Sequence, residues 1–283
     1  MRVAILGMGA IGHVVAAALE GRVDLVKVDR TRSPLRDGEA PVDAAVVCVK
    51  TYGTEWAAQV ARRILAPEGV IVTVQNGLGN VETLAAAVGP ARVALGVIYV
   101  GAEMVDGALK ATGPGRVELG RPDHPKRREH LARLADAMQA GGMTVSVVDD
   151  PWPSVWRKLV VNAAMNATTA LFGITNPELL HHPAARPIAD DLARETARVA
   201  TAAGVAIDPE AAPAMWHPVT SFVNRSSMLQ DMAAGRPTEI DSINGAVVRE
   251  GARYGVAAPA NEAITILVKA VEMAAEAIRR AVR

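Results

Sequence analysis

With 283 residues, half of them hydrophobic, the chain is long enough for two domains with sizeable cores. Thirty basic residues balance thirty acidic ones, which removes the electrostatic case for nucleic acid or an anionic membrane surface as partner. A single cysteine (Cys48) and six histidines with no i, i+4 pairing give neither a disulfide framework nor a zinc site, and favour a cytoplasmic location. No uninterrupted apolar run approaches the ~20 residues that a membrane helix takes.

In chain order, Arg2–Leu6 reads as a short buried strand. It enters Gly7-Met8-Gly9-Ala10-Ile11-Gly12 and then a helical stretch to about Leu19. Strand, G-x-G-x-x-G and helix together form the dinucleotide-binding arrangement. The first glycine permits the tight turn, the second lets backbone approach a pyrophosphate, and the third lets helix pack on strand; the helix N-terminus attracts the phosphates. Leu25–Val28 is the second strand, followed by Asp29 and Arg30. An acid at this point accepts from the ribose hydroxyls of NADH, whereas an arginine accommodates the 2′-phosphate of NADPH. The two signals conflict. After a polar loop, Ala44–Val49 is a third strand ending in Lys50, at the carboxyl edge where such sheets bind ligands. Gly53–Leu65 reads as a helix, Val70–Val74 as a fourth strand, and Gln75–Gly79 as a turn at the same edge. Asn76 is either a turn former or a contact to the nicotinamide end of a cofactor.

Short β runs between Leu95 and Gly120, broken at Asp106-Gly107 and Gly113-Pro114-Gly115, suggest antiparallel hairpins added to the parallel sheet. A helix over 126–140 and a strand at Thr144–Val148 close a first domain, residues 1–150, and 149–153 reads as a linker. The second domain, 151–283, carries no strand pattern. The expected fold is therefore α/β: a Rossmann-type dinucleotide-binding domain with added antiparallel strands, followed by an all-α domain.

The first helix of that second half, Val155–Leu171, carries Lys158, Asn162 and Asn166 at i, i+4 and i+8. These three lie within roughly 80° of arc on an otherwise apolar rod. Buried polar groups need partners, so the stripe is either a seam between packed helices or the wall of a ligand cleft. Further helices are expected over 187–203, around 210–234, over 239–254 and over 259–282. A second polar cluster holds Asn224, Ser226, Ser227, Glu239, Asp241 and Asn244. Thr238 with Asp241 reads as a capping box, with Glu239 in the first helical turn, where an acid suits the helix dipole. The apolar C-terminal helix, Ile264–Ile278, covers either the protein's own core or that of a partner such as a second copy.

Taken together, GMGAIG at the N-terminus, VCVK ending at Lys50, QNGLG, WRKLVVNAAMN and SSMLQDMAAGRPTEIDSINGAVVREGARYGVAAPAN resemble the ketopantoate reductase family nearly end to end. The resemblance implies reduction of 2-dehydropantoate to pantoate by a nicotinamide cofactor. It implies Lys158 as the general acid and Glu239 as its partner carboxylate. It also implies Asn76, Asn162, Asn166, Asn224 and Ser227 as substrate contacts, and Gly7 to Gly12, Arg30, Lys50 and Asn76 as the cofactor side; Asp29, placed there by its position after the second strand, departs from the family, whose NADP-dependent members usually have a small or neutral residue at that point. An unperturbed lysine, with a pKa near 10.4, is protonated at neutral pH and suits the role without tuning. NADPH is the expected cofactor by family, with NADH the alternative that Asp29 supports. Two other functions compete: an NAD-dependent D-2-hydroxyacid dehydrogenase acting on other 2-oxo acids, and a non-catalytic dinucleotide sensor.

Overall fold

The β-branched runs of the first half become strands of one sheet in the computed structural model, which describes residues 1–30, 40–218 and 225–281. The chain divides into two compact units, Met1–Pro151 and Trp152–Arg283.

In the first unit β1 (Arg2–Leu6), β2 (Asp24–Val28), β3 (Val42–Val47), β4 (Leu65–Thr73) and β5 (Val93–Tyr99) lie parallel in the order β2-β1-β3-β4-β5. The helices α1 (Ala10–Leu19), α2 (Thr54–Ile64) and α3 (Asn80–Val88) belong to the crossovers. Alternation of side chains along a strand explains the two cores. Val3, Ile5, Ala44, Val46, Val70 and Val72 pack with α1 on one face, while Ala4, Leu6, Ala45, Val47 and Ile71 pack with α2 and Leu84 of α3 on the other.

β6 (Ala102–Val105) and β7 (Ala108–Ala111) form a separate two-stranded ribbon. Its turn places Asp106 at φ +50° and Gly107 at φ +80°, the left-handed pair that tight hairpins favour. β8 (Arg116–Gly120) then joins β5 antiparallel. After α4 (Pro125–Ala140), β9 (Thr144–Val148) pairs parallel with β8 and completes the seven-stranded sheet.

One strand departs from expectation. β4 starts at Leu65, not at Val70, and its register to β3 slips between Val42 and Ala44. Pro67 has no N–H for a ladder, so the strand bulges over 66–69, and the Arg92 guanidinium donates to the carbonyls of Ala66 and Gly69.

The second unit is helical: α5 (Trp152–Phe172), α6 (Asn176–His181), α7 (Ala185–Ala202), α8 (Pro213–Trp216), α9 (Ser227–Ala233), α10 (Asn244–Tyr254) and α11 (Pro259–Ala281). α5 begins at Trp152, inside the expected linker, because proline is tolerated in the first turn of a helix. α6 was not expected at its six residues. It starts at Thr175, whose backbone N–H and hydroxyl both donate to Glu178, and this holds the Glu178 carboxyl below the usual carboxylate range. No helix among the described residues is long and apolar enough to cross a membrane.

Candidate active site

The residues expected on the cofactor side all fall at the carboxyl edge of the parallel strands: Gly7 after β1, Asp29 and Arg30 after β2, Lys50 after β3, Asn76 after β4. Strand order reverses between β1 and β3, the place where doubly wound sheets bind their ligands. Gly7 sits at φ +105°, and a Cβ there would meet the Val49 backbone nitrogen at 2.8 Å, so the turn closes only with glycine. A Cβ on Gly12 would lie 2.0 Å from the Gly7 carbonyl oxygen; this glycine is what lets α1 pack against the turn. Around Gly9 a Cβ would meet nothing within 4 Å, and no side chain caps α1. Open space before an uncapped helix N-terminus, with Met8, Ala10 and Ile11 supplying only short backbone around it, fits a diphosphate.

The two glycines therefore predict opposite phenotypes. Gly12→Ala overpacks a backbone contact, at a cost of about 1–3 kcal/mol or more, and lowers Tm by several degrees. Gly9→Ala leaves Tm unchanged and weakens dinucleotide binding. Thermal denaturation beside calorimetric titration separates the two, and equal Tm losses would show that Gly9 is merely structural.

A hydrogen-bond relay that the sequence reading missed fixes the edge between β3 and β4. Gln75 Nε2 donates to the Val49 carbonyl at 3.0 Å and to Thr54 Oγ1 at 2.8 Å, and Thr73 Oγ1 donates to Gln75 Oε1 at 2.9 Å. Thr54 Oγ1 in turn donates to Asn80 Oδ1 at 2.9 Å, and Asn80 Nδ2 to the Asn76 carbonyl at 3.1 Å. The peptide before Lys50 and the backbone of Asn76 are thus set by one connected network. Close by, the Arg30 guanidinium reaches over the turn at Gly53, 3.6 Å from where a Cβ would stand. Burial pushes the Cys48 thiol up to about 12, so it packs as a small protonated side chain, as expected.

In the second unit the stripe on α5 is real and grades in depth: Lys158 and Asn162 are partly buried, and Asn166 is 6% exposed. Trp156, Leu159, Val160, Ala163 and Met165 bury the rest of the rod. Glu239 is buried, and its charge acts on Lys158. The expectation of an unperturbed lysine is corrected here. Burial lowers the Lys158 pKa to about 8, against the opposing pull of Glu239.

Glu239 does not occupy the first turn of a helix, as expected. It precedes a 3-10 turn over Ile240–Ser242, and α10 starts only at Asn244. The Thr238–Asp241 capping box does not form. Thr238 Oγ1 accepts from Ile240 N at 3.3 Å, its N–H donates to Glu272 at 2.6 Å, and Asp241 pairs with Lys269 at 2.6 Å.

The second cluster separates by role. Ser226 caps α9, accepting from Leu229 N at 3.1 Å, and its hydroxyl lies 2.6 Å from Thr169 on α5. That pin, one turn past Asn166, fixes the start of α9, where Ser227 is partly exposed. Asn244, fully buried, donates to the Ala163 carbonyl at 3.0 Å and to Asn261 Oδ1 at 3.0 Å. Glu195 accepts from the backbone of Ala260 and Asn261 at 2.9 Å and closes that seam. Thr169, Glu195 and Asn261 escaped the sequence reading because each lies outside the periodic polar stripes. Asn224 lies outside the described residues.

The two halves of the chain match the two halves of one family. Residues 23–124 match the description "Ketopantoate reductase PanE/ApbA", and residues 152–272 match "Ketopantoate reductase PanE/ApbA C terminal". Among curated relatives, 2-dehydropantoate 2-reductase of Halobacterium salinarum is 31% identical over 95% of this chain and 98% of its own. That of Archaeoglobus fulgidus is 32% identical over 96% and 98%. Among solved structures, D-mandelate dehydrogenase in a ternary complex with NADH and anilino(oxo)acetate superposes with a TM-score of 0.87 at 25% identity, covering 98% of this chain and 99% of that one. A glycine turn with open space before a helix N-terminus and a partly buried lysine under the charge of a buried carboxylate occur in a chain similar along nearly its whole length to these reductases: it belongs to the ketopantoate reductase family, oxidoreductases acting on a CH–OH group.

Proposed function

We propose that the protein reduces 2-dehydropantoate to pantoate, with the first unit as the dinucleotide-binding domain, the second as the substrate domain, and Lys158 as general acid. The observation that carries this reading is a partly buried lysine on the polar stripe of α5 that feels the charge of the buried Glu239, with burial lowering its pKa to about 8. A proton donor works best when its pKa lies near the working pH, and burial brings this ammonium there. Gly7, Gly9, Gly12, Arg30, Lys50 and Asn76 would hold the cofactor. A bound reduced nicotinamide supplies hydride to the C2 carbonyl carbon of the substrate. Lys158 steadies the negative charge growing on the carbonyl oxygen and gives it a proton, recovering one from water afterwards. Glu239 keeps the ammonium charged, while Asn162, Asn166, Asn224 and Ser227 hold the substrate through neutral donors that do not compete with Lys158. The single cysteine with its protonated thiol suits a reducing cytoplasm.

NADPH is the cofactor we infer, because Arg30 after β2 and Lys50 after β3 stand at the same carboxyl edge as Asp29 and offer two cations to a 2′-phosphate. A second reading, an NADH-dependent D-2-hydroxyacid dehydrogenase, draws on Asp29 and on the likeness to D-mandelate dehydrogenase. Steady-state rates with NADPH and NADH, against 2-dehydropantoate and aromatic 2-oxo acids, decide between them. Arg30→Ala should raise KM for NADPH about tenfold, the size of one charge-assisted contact, and leave KM for NADH nearly unchanged. A wild-type preference for NADH with bulky 2-oxo acids would overturn the first reading in favour of the second.

A further inference from the structure

A buried asparagine ties the turn that carries Glu239 to the helix that carries Lys158. Asn244 is fully buried, and its Nδ2 donates to the Ala163 carbonyl of α5 and to Asn261 Oδ1 of α11, each at 3.0 Å. The carboxamide cannot be turned round. Asn261 presents its oxygen because its own Nδ2 donates to Glu195 Oε2 at 3.0 Å, and the same carboxylate accepts the backbone N–H groups of Ala260 and Asn261. A group that can only accept fixes the direction of every bond that follows it. Oδ1 of Asn244 accepts from no group among the described residues, so the side chain works through its two donors alone. A contact that served packing alone would lose little if such polar groups gave way to apolar ones of the same shape.

The chain between Glu239 and Asn244 is stiff. The Glu239 carbonyl accepts from Ser242 N at 3.0 Å and from Ile243 N at 3.1 Å, and α10 starts at Asn244 itself. Glu239 and Asn244 therefore move as one piece. Before the turn, Glu272 of α11 holds the Thr238 amide; after it, Asn244 reaches α5, where Ala163 stands five residues past Lys158. Of these two ties only the second ends on the helix that bears the lysine. We infer that Asn244 is a positioning residue, whose carboxamide pins the Glu239 turn to α5 and so sets where the Glu239 carboxylate stands against Lys158. The inference rests on Lys158 acting as the acid in the reading above. α5 carries no acidic residue and Asp241 pairs with Lys269, while Glu239 is the carboxylate whose charge raises the Lys158 pKa. A turn that drifts away leaves the ammonium to burial, which lowers it.

Two titrations of the full chain test this. One follows the Lys158 Cε signal by NMR in ¹³C-lysine-labelled protein, identified by its loss in Lys158→Ala; the other follows kcat/KM for 2-dehydropantoate against pH. Asn244→Ala should move both midpoints about one pH unit towards acid, so that kcat/KM well above them falls about tenfold. Asn261→Ala is the control. It removes an amide of the same seam and lowers Tm, but it spares the bond to Ala163, so its midpoints should stay in place. In a Glu239→Gln background Asn244→Ala should displace the midpoints no further, because the carboxylate it positions is already gone. Should Asn244→Ala fail to fold, Asn244→Ser, whose side chain is too short to span to Ala163, carries the same expectation. Unmoved midpoints in the Asn244 variant overturn the inference, as does an equal displacement in Asn261→Ala or a full further displacement in the Glu239→Gln background. A wild-type rate profile that ignores the lysine signal would instead count against Lys158 as the acid, while the signal alone still decides the role of Asn244.

Discussion

Lys158→Ala is expected to lower kcat by about 10²–10⁴-fold, the range general acid catalysis contributes, while the Kd for the dinucleotide stays within about twofold. The asymmetry follows from where the residue sits. Lys158 belongs to α5 in the second unit, whereas the glycine turn, Arg30 and Lys50 belong to the first. An interaction made with charge that exists only as the carbonyl is reduced removes kcat and kcat/KM together and leaves cofactor binding alone. Lys158→Arg separates charge from proton transfer. A guanidinium keeps the positive charge but holds its proton at every working pH, so this variant should recover only part of the loss. Single-turnover absorbance of the reduced cofactor with 2-dehydropantoate checks both. An undiminished rate in Lys158→Ala would end the assignment of Lys158 as the acid.

Legibility in the sequence was uneven for physical reasons. The parallel sheet could be read because strands buried on both faces must be apolar at nearly every position, as in Val42–Val47, and because Gly7 and Gly12 have no substitute where backbones approach so closely. The stripe on α5 could be read because helical period places residues 158, 162 and 166 together whatever surrounds them. What could not be read depends on distant partners. The relay through Thr54, Gln75 and Asn80 joins residues up to 26 positions apart, and the seam through Glu195 and Asn261 joins residues 66 apart. Nothing local marks either one. Glu239 was misplaced for a related reason: Thr-x-x-Asp has the spacing of a capping box, but Glu272 claims the Thr238 amide and Lys269 claims Asp241, so the chain makes a 3-10 turn first. Tertiary partners outbid a local motif. The tuned pKa of Lys158 was hidden as well, since a sequence does not show how deeply an ammonium is set.

That tuning yields the second large effect. In the wild type, kcat/KM with 2-dehydropantoate should be level at neutral pH and fall as pH rises through about 8, where Lys158 loses its proton. Two causes set that value with opposite signs: burial lowers it, and the carboxylate of Glu239 raises it. Glu239→Gln removes only the raising cause. The Lys158 pKa must then drop below about 8, and the falling limb of the profile moves towards acid. Above both values each unit of displacement costs about tenfold in rate. The variant should therefore look most damaged in alkali and regain activity as pH is lowered, whereas a carboxylate that merely bound substrate would lose the same factor at every pH. Rescue at low pH distinguishes the two, because acid restores the ammonium but not a missing substrate contact. A profile of unchanged shape, simply scaled down, would show that Glu239 does not govern the charge of Lys158, and the case for a tuned acid would fail with it.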